Sequence, residues 1–194
     1  MKQTVRIILF AVIVPWLFSC AINPVTGKTE LMLLSEEDEI SMGQETDPQI
    51  MRMYGAYNDW DLDAYVESIG DRMGHISHRP NLNYEFKIMD TPAINAFAVP
   101  GGYVYFTRGI LAYLDNEAQL AGGMGHEIGQ ITARHSAQQY SKAQLAQVGL
   151  GLGAIVSEPF ANISQLAGQG LGMLFLKFSR DNERQSDQLG VEYS

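Results

Sequence analysis

Cysteine is nearly absent from this sequence of 194 residues, in which Cys20 stands alone. A single cysteine excludes an internal disulfide and any zinc site built on paired cysteines. A metal site would therefore have to use histidine, aspartate or glutamate, and histidine is also scarce, with four residues. Basic residues are few as well, because 13 Lys and Arg stand against 22 Asp and Glu, for a formal charge of −9. Without a basic cluster to neutralise phosphates, the composition argues against nucleic acid as a partner.

The N-terminal apolar stretch, residues 7–18, follows two basic residues and is too short to span a bilayer comfortably. It predicts a signal peptide over residues 1–19 and an exported chain. The stretch ends in Leu-Phe-Ser-Cys, which resembles a bacterial lipobox in which Cys20 carries the lipid; an ordinary signal peptide with an incidental cysteine is the alternative. Ala21 favours an outer-membrane lipoprotein that faces the periplasm and contacts the membrane through this anchor.

The rest of the chain has the composition of a globular domain, with 46% hydrophobic and 18% charged residues. Apolar residues at spacings of three and four predict helices, and alternation of apolar with polar residues predicts strands. The result is an α+β fold that is mainly helical. The predicted helices cover residues 35–54, with a kink or restart at Pro48, about 61 to before Pro80, and 118–137; the predicted strands, 84–88, 95–99 and 103–106, form a small antiparallel sheet.

Three further segments complete the predicted organisation. Residues 20–34 are a leader with the turn-rich sequence Asn-Pro-Val-Thr-Gly. Residues 148–178 are rich in glycine and apolar side chains and predict a flexible helical hairpin or lid, with membrane contact as the weaker alternative. The domain over residues 35–194 is expected to be truncated at its C-terminus, since its last predicted helix needs a covering partner.

The third predicted helix carries the sequence His126-Glu127-Ile128-Gly129-Gln130. In zinc-peptidase helices, histidines four residues apart hold the metal from one face, and the glutamate after the first polarises the attacking water. His126 and Glu127 match this pattern, but Gln130 occupies the position of the second histidine. Its neutral amide oxygen is a poor zinc ligand beside an imidazole nitrogen.

A second polar group follows in the segment 179–187. Glu183 and Asp187 lie one helical turn apart, so that the first could bind a metal while the second holds a ligand histidine by a hydrogen bond. A solvated, charged helix face is the alternative interpretation.

Taken in order, these motifs resemble the BepA/HtpX-type zinc metallopeptidases, membrane-associated gluzincins related to the CAAX prenyl protease. The resemblance covers most of residues 20–194, and the chain resembles a periplasmic lipoprotein member with a degenerate His-Glu-x-x-Gln motif. The matching segments are the lipobox, residues 23–27, 95–105 and 116–118, the His126 helix and residues 179–187.

The resemblance implies a gluzincin-like domain with one zinc ion. His126 and Glu183 would be ligands, Gln130 marks the missing second ligand, Glu127 would be the general base, and Asp187 would orient His126. The implied function is a zinc-dependent endopeptidase that hydrolyses misfolded or misassembled envelope proteins. Two alternatives stay open: a catalytically impaired relative that works as a peptide-binding chaperone or scaffold, and a merely structural lipoprotein.

Donors for an oxyanion or for substrate are not identified by any motif. Tyr103, Tyr105 and Arg180 are candidates on their chemistry alone. The strand over residues 103–106 is predicted to lie at the sheet edge, where it could accept a peptide as an added strand, with an ordinary core strand as the alternative.

The other histidines are not expected to bind the metal. His135 is nine positions after His126 on the predicted continuous helix and therefore faces the opposite side. His75 and His78 precede Pro80 and could approach the site only through the tertiary fold.

Overall fold

The computed structural model describes residues 20–150 and 178–194. The predicted signal peptide lies outside these residues, as does nearly all of the predicted hairpin or lid. The described residues form an α+β fold, which confirms the predicted class. Its elements are β1 (Cys20–Ile22), β2 (Thr29–Leu31), α1 (Glu36–Tyr54), α2 (Trp60–Ile76), β3 (Glu85–Met89), β4 (Ala96–Val99), β5 (Tyr103–Thr107), α3 (Arg108–Tyr113), α4 (Glu117–Thr132), α5 (His135–Leu150) and α6 (Arg180–Tyr193).

Helix α1 begins where the sequence predicts. The side chain of Ser35 accepts a hydrogen bond from the backbone N–H of Asp38, and four acidic residues occupy the first turn, where the helix dipole favours them. The helix continues through Pro48 to Tyr54, so the predicted restart does not occur. No helix within the described ranges has the length and apolar character needed to cross a bilayer.

The larger sheet has the strand order β3-β5-β4. Strands β4 and β5 pair antiparallel, as predicted, but β3 and β5 pair parallel, so the prediction of an entirely antiparallel sheet is wrong. The reason is the order of the strands. Strand β5 lies between β3 and β4, which both precede it in the chain, and it runs parallel to the first and antiparallel to the second. Strand β5 is therefore central, and the prediction that residues 103–106 lie at an edge is wrong. The two edge strands of this sheet are β3 and β4.

The alternating side chains of β5 enter two different cores. Val104 and Phe106 pack in the main core, between the sheet and helices α2, α4 and α6. Tyr103 and Tyr105 face the opposite side and pack with Ile50 of α1. This arrangement places α1 and α4 on opposite faces of the sheet.

The segment predicted as a leader folds into the hairpin β1-β2, which the sequence analysis missed. Asn23 is buried at its turn and accepts hydrogen bonds from the backbone N–H groups of Val25 and Thr26. Its amide nitrogen donates to the carbonyl oxygen of Ala133 at 3.3 Å. The turn-rich sequence thus attaches the hairpin to the end of α4.

The third predicted helix, residues 118–137, is two helices. Helix α4 ends at Thr132, and Arg134 adopts the left-handed conformation, with φ of 57°, before α5 begins at His135. This conformation costs about 1 kcal/mol for a residue other than glycine. The guanidinium of Arg134 offsets the cost, because it donates to Glu39 at 2.8 Å and to the carbonyl oxygen of Leu34 at 2.9 Å. His135 is therefore not on the helix of His126.

Candidate active site

Helices α4 and α6 cross at a contact between glycines. Gly125 and Gly129, one turn apart on α4, face Gly190 and Ser186 on α6. A Cβ atom on Gly125 would lie 2.6 Å from the carbonyl oxygen of Gly190, which is too close for any other residue without a shift of the backbone. This close approach brings together the side chains of α4 and α6 that the sequence predicts to form the site.

His126 contacts two acidic side chains of α6. Its Nδ1 lies 2.8 Å from Oδ1 of Asp187, and its Nε2 lies 3.4 Å from Oε2 of Glu183. A neutral imidazole donates through one nitrogen and accepts through the other, so donation from Nδ1 to Asp187 leaves the Nε2 lone pair on the side of Glu183. This is the orientation that carboxylate–histidine pairs give to metal ligands.

Glu127 follows His126 and lies against the edge strand β4. Burial raises the pKa of Glu127 to about 7, and the charge of Glu183 adds to this effect. Two effects lower the pKa of Glu127 in turn. They are the positive charge that His126 can carry and the hydrogen bond that the backbone N–H of Ala98 donates to Glu127. A carboxyl group with a pKa near neutrality can take up and release a proton at physiological pH, as a general base must.

Gln130 lies between the two predicted ligands with its amide nitrogen toward them. The side chain is buried, and Nε2 lies 3.2 Å from Nε2 of His126 and 3.5 Å from Oε1 of Glu183. Its Oε1, the atom that could bind a metal, points the other way and lies 2.7 Å from Nδ1 of His135.

His135 is the contact that the sequence analysis missed. It is fully buried, and its Nε2 lies 2.8 Å from Oε1 of Gln185 while Oγ of Ser186 lies 3.3 Å from its Nδ1. Burial lowers the pKa of His135, which keeps the ring neutral at physiological pH. The sequence held no signal for this contact, because it depends on the end of α4 at Thr132.

A zinc ion in a site of this type takes three protein ligands. In residues 20–150 and 178–194, no three His, Cys, Asp or Glu side chains form a group that could hold a metal ion. His126 and Glu183 converge as such ligands would, but the third position presents an N–H donor. With Gln130 in this orientation, the residues present do not fit a three-ligand zinc site.

Of the remaining candidates, the two tyrosines lie on another face of the fold. Tyr105 is fully buried on the sheet face opposite α4 and donates its hydroxyl to Asp47 at 2.9 Å, and Tyr103 lies on the same face beneath Lys87. The structure does not bring these two tyrosines to His126. Arg180 is exposed at the first residue of α6, three residues before Glu183.

His75 and His78 have hydrogen-bond partners of their own. Nδ1 of His75 lies 2.7 Å from the carbonyl oxygen of Asp71, and Nδ1 of His78 lies 2.6 Å from the hydroxyl of Tyr193. Both rings therefore have partners within the fold.

A His-Glu helix, a crossing helix with Glu183 and Asp187, and an adjacent edge strand define a metallopeptidase domain of the gluzincin type. The chain belongs to peptidase family M48, whose family model matches residues 61–194.

Curated relatives of the chain include bacterial and mitochondrial proteases. The chain is 32% identical over 178 residues to the beta-barrel assembly-enhancing protease of Escherichia coli (strain K12), a match that covers 87% of this chain and 36% of the relative. The corresponding protein of Yersinia pestis is 30% identical over the same shares. The mitochondrial metalloendopeptidase OMA1 of Schizosaccharomyces pombe is 28% identical, over 87% of this chain and 50% of the relative. The chain thus spans about a third of the length of the bacterial relatives.

Proposed function

We propose that this chain is the hydrolytic domain of a zinc-dependent endopeptidase of the bacterial envelope, working with a weakened metal site. The observation that carries the proposal is the convergence of His126, oriented by Asp187, with Glu183. The carboxylate of Glu127 lies one residue further along the same helix. Membership of a metallopeptidase family supports the same function.

A polypeptide substrate would bind along β4 rather than along β5. In the described part of the chain, β4 is an edge strand, and Ala98 directs its backbone N–H away from β5 toward Glu127. A peptide that adds to such an edge forms main-chain hydrogen bonds that do not depend on its sequence. This mode suits substrates defined by their unfolded state, such as misfolded or misassembled envelope proteins, and it would place the peptide beside Glu127.

Export and lipid attachment at Cys20 complete the proposal. The lipobox sequence supports export and lipid attachment. The bacterial relatives are named for β-barrel assembly, which suits a protein of the envelope. Cys20 begins β1, and Asn23 attaches this hairpin to Ala133. A lipid on Cys20 would therefore hold the domain close to the periplasmic face of the outer membrane.

The orientation of Gln130 favours a second function, binding of unfolded peptides without hydrolysis. The amide nitrogen between His126 and Glu183 disfavours a metal there, while the edge strand β4 stays available to a peptide. A chain of this kind would act as a chaperone or scaffold in the envelope.

Cleavage of fluorescently labelled casein by the purified chain with added zinc distinguishes the two functions. The variants Gln130→His, which restores the ligand pattern, and Glu127→Gln, which removes the base, are measured beside it. Cleavage by the unmodified chain that Glu127→Gln abolishes supports the endopeptidase. Casein binding without cleavage, together with cleavage by Gln130→His, supports the peptide-binding function. If neither the chain nor the Gln130→His variant cleaves or binds casein, both proposals fail.

A further inference from the structure

We propose that the side-chain amide of Gln130 replaces the metal in a metal-free state of the site, and that His135 controls whether a metal can enter. The proposal rests on the proposed function in one respect, since it takes His126 and Glu183 as the side chains that would hold the metal. It concerns a residue, His135, that lies outside the His-Glu-x-x-Gln motif.

In the metal-free state each contact that the Gln130 amide makes has a donor and an acceptor. His126 donates through Nδ1 to Asp187, and its Nε2 accepts from the NH₂ group of Gln130, which also points to Glu183. The oxygen of Gln130 accepts from Nδ1 of His135. The NH₂ group, with its partial positive charge, thus lies between an imidazole nitrogen and a carboxylate. In a metal site a cation lies in this place.

His135 has two amide oxygens within reach and can donate to only one of them. Its Nδ1 lies 2.7 Å from Oε1 of Gln130, and its Nε2 lies 2.8 Å from Oε1 of Gln185. A neutral imidazole carries a single N–H, so the ring either holds the oxygen of Gln130 or donates to Gln185. Its full burial removes water as an alternative partner.

The second arrangement opens the site to a cation. When His135 donates through Nε2 to Gln185, its Nδ1 becomes an acceptor, and the Gln130 amide can turn so that its NH₂ group meets this nitrogen. The oxygen of Gln130 then faces His126 and Glu183, where three acceptors converge and a cation between them is favourable. Metal binding and donation from His135 to Gln130 therefore exclude each other.

The proton on His135 can be located by NMR of the full chain labelled with ¹⁵N at histidine. Without metal, we expect the proton of His135 on Nδ1, and a saturating amount of zinc should move it to Nε2. The ¹⁵N signal of His126 Nε2 reports zinc binding independently. A metal-free ring with its proton on Nε2 would overturn the proposal, as would zinc binding at His126 that leaves the proton of His135 on Nδ1.

A matched pair of variants tests the same coupling through zinc affinity. Gln185→Ala removes the acceptor of the open state, while Gln188→Ala removes an exposed glutamine from the same helix. Because one hydrogen bond is at stake, Gln185→Ala should weaken zinc binding about three- to tenfold. Gln188→Ala should leave it unchanged, and equal affinities for the two variants would contradict the proposal.

These readouts are independent of peptide hydrolysis. If neither the unmodified chain nor Gln130→His cleaves casein, the proposed endopeptidase is refuted, but the position of the proton on His135 still decides the inference. If His135 behaves as a structural histidine while Gln130→His cleaves casein, the inference fails and the proposed function stands.

Discussion

Two polar clusters lie near the C-terminal half of α4, and they differ in how their charges are paired and in how far their side chains are exposed. The buried ion cluster consists of Glu39, Arg79 and Arg134; the site cluster consists of His126, Gln130, Glu183 and Asp187. In the buried ion cluster, Glu39 binds one arginine with each carboxylate oxygen, at 2.8 and 2.9 Å, and every side chain is at most 6% exposed. In the site cluster, the side chains of His126, Glu183 and Asp187 are 24%, 45% and 72% exposed.

The difference separates a buried polar group that stabilises the fold from a partly exposed one that we propose serves metal binding. The buried ion cluster fixes Arg134 in its left-handed conformation and so ends α4. The site cluster brings two ligand-type side chains together where solvent reaches them, although the glycine contacts already hold α4 against α6. We therefore expect large effects on stability from the first cluster and effects on metal binding from the second.

The largest effect is expected from Glu39→Gln. Removal of the central charge leaves Arg134 buried without a counterion and leaves Arg79 with only the exposed Glu36, at 3.3 Å. The loss of one partner in a buried ion cluster costs about 3 to 5 kcal/mol. Urea unfolding measures the change. Asp181→Asn is the control, because its pair with Arg184 is exposed and should contribute less than about 1 kcal/mol. Equal destabilisation by the two variants would contradict the assigned role of the buried ion cluster.

The packing of α4 on α6 is tested by a pair of glycine variants. Gly125→Ala inserts a methyl group against the backbone of Gly190 and should destabilise the fold by about 1 to 3 kcal/mol. Gly122 has open space where its Cβ would be, so Gly122→Ala should stabilise the helix by about 1 kcal/mol. Thermal unfolding measures both, and a shift of the same sign for both variants would refute the glycine contact.

The contact between Asp187 and His126 can be tested in the Gln130→His background. Asp187→Ala removes the acceptor that orients His126 and should weaken zinc affinity about ten- to a hundredfold, with little change in unfolding. Competition with a chromophoric chelator measures the affinity. Asp181→Ala on the same helix is the matched control, and an equal affinity for both variants would show that Asp187 has no part in orienting the histidine.

The smallest effect is expected from Tyr105→Phe. The hydroxyl of Tyr105 donates to Asp47 on the far face of the sheet, so its loss should cost about 1 kcal/mol of stability. Burial and the charge of Asp47 raise the pKa of Tyr105, so the hydroxyl stays protonated as a donor. Zinc affinity and casein cleavage in the Gln130→His background should not change. A loss of cleavage at normal stability would restore Tyr105 as a site residue.

The sequence predicted those helices and strands that are determined by residues close together in the chain. Ser35 with its acidic first turn marked α1, and the alternation of apolar with charged residues over 84–88 marked β3. The pairing of β3 with β5 was missed because it depends on the position that β5 takes between two strands that precede it. The spacing of Gly125 and Gly129, one helical turn apart, is a signal in the sequence for the close helix crossing that the structure shows.

The part of the site that could not be predicted depends on distant contacts. Arg134 turns out of the helix because Glu39, 95 residues earlier, binds its guanidinium. That turn brings His135 onto Gln130, and α6 supplies Gln185 on the other side of the ring. The motif predicted a poor ligand at position 130, but only these contacts explain which end of the amide faces His126.

The most direct test is the zinc content of the purified chain beside the Gln130→His variant, measured by mass spectrometry after dialysis against a buffer with low free zinc. We predict about one zinc ion per chain for Gln130→His and far less for the unmodified chain, because the NH₂ group of Gln130 lies toward the two proposed ligands, His126 and Glu183. Equal and stoichiometric zinc in both proteins would contradict this account.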